Sequence, residues 1–140
     1  YSMKNDLERF LKAQEKDYEH ALNEIKNGRK TGHWIWYIFS QIAGLGFSST
    51  SKYYSIKDKN EAIEYLKNKT LKNRLIEICE ALLSLESDDA TYVMGYPDDL
   101  KLKSSMTLFD EVSDIDVFKK VLDKFYKGEK DEMTISLLNK

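Results

Sequence analysis

The chain has 140 residues, of which 41% are apolar and 33% charged, with a formal net charge of −2. That length is the usual size of one domain and is enough to bury a core, and the apolar share excludes a disordered chain. Lys and Glu alternate with no basic excess, which excludes general nucleic-acid binding and leaves a local phosphate site open.

In chain order, Tyr1–Ser2 stand before Met3 and read as a remnant ahead of the native start, with no signal-peptide pattern after them. A first helix is predicted from about Asn5 to Asn27, where Leu7, Phe10, Leu11, Gln14, Tyr18, Ala21, Leu22 and Ile25 recur every three or four residues. Gly28 suits the left-handed position that closes it. A second helix is predicted from just after Thr31 or Gly32 to near Gly44. It is apolar around its whole circumference, so it belongs at the centre of the fold with Trp34, Ile38 and Ile42 buried. Its apolar run, Trp34 to Phe39, is far short of the roughly 20 residues of a membrane span, and no membrane partner is expected. Gly44-Leu45-Gly46 breaks the helix, "FSSTS" reads as a polar turn, and "SKYYSI" as a short helix or an extended piece.

Asn60 or Asp58 caps a helix through Leu66, and Thr70 caps the next, striped by Leu71, Leu75, Ile78, Cys79, Leu82, Leu83 and Leu85. Cys79 is the single cysteine, which excludes an internal disulfide and points to a reducing, cytoplasmic setting. "SDDATYVMGY" is a short helical turn closed by Gly95. Pro97 then opens a helix to about Val112. Another spans Asp116 to Lys127 with Gly128 as cap, and a last one covers Glu132 to Leu138 after Asp131. No alternating run is long enough for a strand, and no composition break marks a second domain. The prediction is one all-α domain over residues 1–140.

Three features carry chemistry. On the second helix His33, Tyr37, Ser40, Gln41 and Gly44 share one face, and buried polar tips must find partners or line a cavity. At the start of that helix Arg29, Lys30 and His33 lie beside N–H groups suited to an anion, although Arg29 and Lys30 also suit the carbonyls that end the first helix. In "GYPDDLKLKSSMTLF", Asp98, Lys101 and Ser105 fall on one helical face, where a lysine and a serine one turn apart can pair as base and nucleophile. The plain reading of that stretch is a capped amphipathic helix. His20, His33 and Cys79 are too few for a zinc set, and no metal site is expected. Gly44-Leu45-Gly46 lacks the strand and third glycine of a dinucleotide fingerprint, and no cofactor is expected.

"LERFLKAQEKDYEHALNEIKNGRKTGHWIWYIFSQIAGLG" and "YPDDLKLKSSMTLF" resemble the bacterial family known as domain of unknown function 1810. The likeness runs from Leu7 to Leu138. It singles out Gln14, Tyr18, Lys30, His33, Gln41, Ser48, Tyr53, Asp99, Lys101, Ser104, Ser105 and Thr107 as the family's characteristic polar positions. Ser40 departs from it, since the family commonly has proline there, and the second helix is expected to be less kinked or to end later. The resemblance implies an all-helical single domain. The family's function is not established, and some members carry a calpain-inhibitor label. A distant likeness to small helical proteins that cleave ADP-ribose-type N-glycosidic bonds implies a substrate class at the level of fold.

Two functions follow from these readings. The first is a pocket for an anionic small molecule, a nucleotide or ADP-ribose-like group, with hydrolysis as its extension. In it Lys30, His33 and Lys101 supply charge or move protons, and Trp34 and Trp36 wall the site. Asp99 orients Lys101 or activates water, Ser104 or Ser105 hydrogen-bonds, and Gln41 fixes orientation. His33 and Lys101 are then expected in one pocket, with affinity falling as pH rises past the histidine value of about 6.5. The rival is a non-enzymatic interaction module whose aromatic stretch is core or a docking groove for a protein partner.

Overall fold

The computed structural model describes residues 6–140, so the predicted start at Asn5 and the reading of Tyr1–Ser2 lie outside the described residues. Nine helices and no strand form among those residues, in agreement with the all-α prediction. The long striped segments give α1 (Glu8–Lys26), α5 (Lys69–Leu83), α7 (Asp98–Glu111) and α8 (Asp116–Tyr126). Shorter helices are α2 (Ile35–Ile38), α3 (Ser49–Tyr53), α4 (Lys59–Lys67), α6 (Ala90–Met94) and α9 (Glu132–Leu138). Side-chain caps fix five starts: Ser48, Asp58, Asn68, Asp89 and Asp131 each accept a first-turn N–H. Asp58 rather than Asn60 caps α4, and Asn68 rather than Thr70 caps α5. Gly28 takes the expected left-handed backbone, with φ of 91°.

α1 packs on α5, which packs on α8, and α8 lies along α7. The buried faces meet in a run of aromatic rings. Phe10 and Tyr65 lie 5.2 Å apart, Tyr65 and Phe109 5.1 Å, and Phe109 and Phe118 5.7 Å. Fully burying a side chain of this size contributes about 1.5–3 kcal/mol. Trp34, Ile38 and Ile42 are buried in this core, as predicted.

The second helix is much shorter than predicted. Only residues 35–38 are helical; Phe39 leaves the helix with φ −118° and ψ 76°. Ser40 Oγ then donates to the Trp36 carbonyl at 2.9 Å, serving an acceptor that the broken helix leaves open. Beyond it the chain runs extended, and Ile42 pairs with Ile56 in an isolated parallel bridge. Ile56 N–H donates to the Gln41 carbonyl and Ala43 N–H to the Ile56 carbonyl, both at 2.8 Å. An all-round apolar surface demands burial, and an extended strip among helices meets that demand as well as a helix does. The Ser40 expectation is reversed too, since the helix ends earlier. "FSSTS", read as a turn, opens α3.

Candidate functional site

α7 places the chemistry of the "PDDLKLKSS" stretch on opposite sides of one helix. Asp98 faces the segment before α2, where its carboxylate meets Lys30 Nζ at 2.6 Å and Lys101 Nζ at 3.5 Å. Asp99 points inward. It accepts from Thr91 Oγ1 at 2.6 Å and from the Leu100 N–H at 3.0 Å, while its carbonyl accepts from the Tyr126 hydroxyl at 2.5 Å. Burial first, and then the charge of Asp99, push the Tyr126 hydroxyl far above its ordinary pKa, so it stays a donor. Asp99 thus ties α6, α7 and α8 together, and the orienting of Lys101 expected of it falls to Asp98. Lys101 Nζ sits 5.3 Å from the centre of the Trp36 ring, a cation–π contact that fixes where its charge lies.

Lys101 stands at a cleft made of two adjoining cavities that share Gln41, Gly46 and Ser51. One, of about 290 Å³, is walled by Trp36, Phe47 and Tyr54. The other, of about 250 Å³, is lined by Leu100, Lys101, Ser104 and Asp131. The floor is narrow because Gly46 approaches Ser51 so closely that a Cβ on it would lie 2.5 Å from the serine's own. Four of the predicted residues, Trp36, Gln41, Lys101 and Ser104, therefore meet in one place. Phe47 and Asp131 escaped the sequence reading, and Asp98 was placed on one face with Lys101 but given no role in the pocket. For Asp98 the i, i+3 spacing to Lys101 was visible, whereas Asp131 read only as a helix cap.

The other predicted residues lie elsewhere. The Lys30 side chain is 6% exposed, bound to Asp98 and to the Gly32 carbonyl at 2.5 Å, so it does not face the cleft as a free cation. Trp34 is core, its indole N–H donating to Glu24 at 2.9 Å. The same Glu24 oxygen takes the N–H groups of Thr31 and Gly32, so the anion held at this turn is the chain's own carboxylate. His33 is exposed and lines neither cavity. Ser105 is fully buried with no hydrogen-bond partner for its hydroxyl, and makes no hydrogen bond with Lys101. A larger cavity of about 620 Å³ lies along α1 against Tyr37, Tyr53 and Tyr54; of the residues singled out in the sequence it holds Tyr37 and Tyr53, but none of those assigned a role in the pocket. Two of its charged groups already have partners, Arg9 in an ion pair with Glu61 at 3.0 Å and Asp17 accepting from the Tyr37 hydroxyl.

Comparison with known proteins bears on what this cleft belongs to. Residues 4–138 match the model of a family described as "Protein of unknown function (DUF1810)". The chain belongs to that family. Of the polar positions that the sequence resemblance singled out, Gln41, Lys101 and Ser104 line the cleft, and Gln14 and Tyr18 are buried in hydrogen bonds to Tyr65 and Arg74. The fold is similar to the crystal structure of the conserved hypothetical protein Rv1873 from Mycobacterium tuberculosis. The two share 40% identity with a TM-score of 0.94, over 96% of this chain and 97% of that one. No curated protein matches the chain. Among the described residues no helix is long and apolar enough to cross a membrane, and no three His, Cys, Asp or Glu side chains gather as a metal site would require.

Proposed function

We propose that the cleft binds a small anionic molecule carrying a flat ring, of the nucleotide or ADP-ribose-like class. The observation that carries this reading is Lys101, held against Trp36 where a ring-walled cavity adjoins one that carries Ser104 and Asp131. Asp98 is shared by two lysines, so the cluster of Lys30, Asp98 and Lys101 keeps one unmatched positive charge. An anion at Lys101 completes it. Trp36 and Phe47 offer ring faces for stacking, and the Gln41 amide offers both a donor and an acceptor.

Binding is better supported than hydrolysis. His33 is not on the cleft and Ser105 is sealed in the core, which leaves Ser104 and Asp131, 3.2 Å apart, as the hydroxyl–carboxylate pair facing it. The interaction-module reading draws on Phe47 and Leu100, 86% and 51% exposed at the rim.

Thermal shift against a panel of nucleotides and ADP-ribose separates the readings. A ligand that binds only the folded chain raises its melting temperature, by an amount equivalent to about 2.7 kcal/mol at a hundredfold excess over Kd. Lys101→Ala should lose that shift and His33→Ala should keep it, at every pH. A flat panel on folded protein overturns the proposal and leaves the interaction module standing.

A further inference from the structure

The "SSMT" stretch of α7 holds a residue far away in sequence. Ser104 Oγ meets Asp131 Oδ2 at 3.2 Å, and the Asp131 backbone N–H donates to Thr107 Oγ1 at 2.9 Å. From α9, the Thr134 N–H and hydroxyl reach the same Oδ2 at 3.1 and 2.5 Å. One carboxylate oxygen thus serves as cap and clamp, while Oδ1 makes no hydrogen bond among the described residues. Asp131 and Lys101 line the same small cavity, yet they form no ion pair; Lys101 pairs with Asp98 instead. Opposite charges facing one space without meeting leave room for a ligand that satisfies both.

We propose that Asp131 is the specificity-determining acceptor of the cleft. Its open Oδ1 takes the hydroxyls of a sugar ring while Lys101 takes the phosphate. This rests on the binding function proposed above and narrows it, making the ligand one whose phosphorylated ribose keeps its hydroxyls, for which ribose 5-phosphate is the fragment probe without the flat ring. A neutral hydroxyl suits this carboxylate better than an ammonium does. Three donors already spread its charge, and an ammonium would give up its own hydration to enter. Discrimination follows because a deoxy ligand leaves a desolvated acceptor without a donor.

The test is calorimetric titration of the full chain with ribose 5-phosphate, 2-deoxyribose 5-phosphate, inorganic phosphate and glycine. Ribose 5-phosphate should bind about tenfold or more tighter than the deoxy sugar and inorganic phosphate, the scale of one hydrogen bond to a charged group. In Asp131→Asn the amide oxygen can keep capping α9 while the NH₂ group replaces the open acceptor. That variant should melt as the wild type does and bind the two sugars equally. Should it unfold, Ser104→Ala, which loosens Asp131 without touching its cap, should narrow the preference instead. Equal binding of both sugars by the wild type overturns this inference alone, as does a preference that survives in the folded Asp131→Asn variant. Tighter binding of glycine overturns it in favour of a zwitterion. Binding of none of the four overturns this inference, and the parent proposal falls with it only if the nucleotide and ADP-ribose panel is flat as well.

Discussion

Glu24 shows how one side chain sets the geometry ahead of the aromatic stretch. Its Oε1 accepts from Thr31 N, Gly32 N and Trp34 Nε1 at 2.7, 2.8 and 2.9 Å. Burial pushes the carboxyl up, but the donors from Gly32, Thr31 and Trp34 outweigh it and hold it below the ordinary 4.5. The Gly32 position allows the approach, since a Cβ there would stand 2.9 Å from the Trp34 ring and 3.0 Å from the carboxylate. Glu24→Ala strands the Trp34 indole N–H inside the core and should cost about 1–3 kcal/mol in urea unfolding. The acid dependence has a definite sign. Folding favours the charged form, so its contribution is complete above the ordinary value and is lost as pH falls through the lower folded-state value. The stability gap between the wild type and Glu24→Gln should therefore shrink on acidification from about pH 6 to about pH 3.

At the scale of elements, Ser40 carries the sharpest expectation. Its helix has already ended at Ile38, and its N–H donates to no backbone carbonyl among the described residues, so the two usual costs of a proline are absent. Ser40→Pro removes only the hydroxyl donor to the Trp36 carbonyl and should cost about 1–3 kcal/mol, read as a shift in urea midpoint. A loss several times larger would mean that the Ser40–Trp36 hydrogen bond holds the break open. The same segment shows what the sequence can and cannot convey. α1, α5 and α8 were legible because a one-sided apolar stripe has only one helical solution, and α7 and α9 because Pro97 and Asp131 mark their starts. Residues 34–43 were not, because an apolar run with no polar face fits a buried helix and a buried extended strip equally. α3 hid for a different reason, its cap Ser48 lying in a string of hydroxyl residues that also spells a turn.

Across the whole molecule, the cleft was half legible. Trp36, Gln41, Lys101 and Ser104 lie in two motifs whose chemistry could be read locally. Asp131 reaches Ser104 across 27 positions and Thr107 across 24, and no spacing rule connects them. Cys79 reports on the fold as a unit. It is fully buried against Met106, its sulfur 3.6 Å from the thioether, and burial, with a smaller push from Glu80, drives its thiol far above the ordinary value. A thiol-reactive dye should leave it untouched in native buffer, and labelling should rise with urea in step with loss of helix signal. Labelling in native buffer would place an opening of the α5–α7 contact well below the global transition. The backbone bridge at Ile42 and Ile56 has a consequence of another kind. It closes the excursion of residues 43–55 at its base, so added length at Phe47 enters a loop whose ends are already joined. Each doubling of such a loop costs only about 0.6 kcal/mol in entropy. One wall of the cleft is therefore a natural graft point, free to lengthen or change its recognition surface while the core beneath it stays as it is.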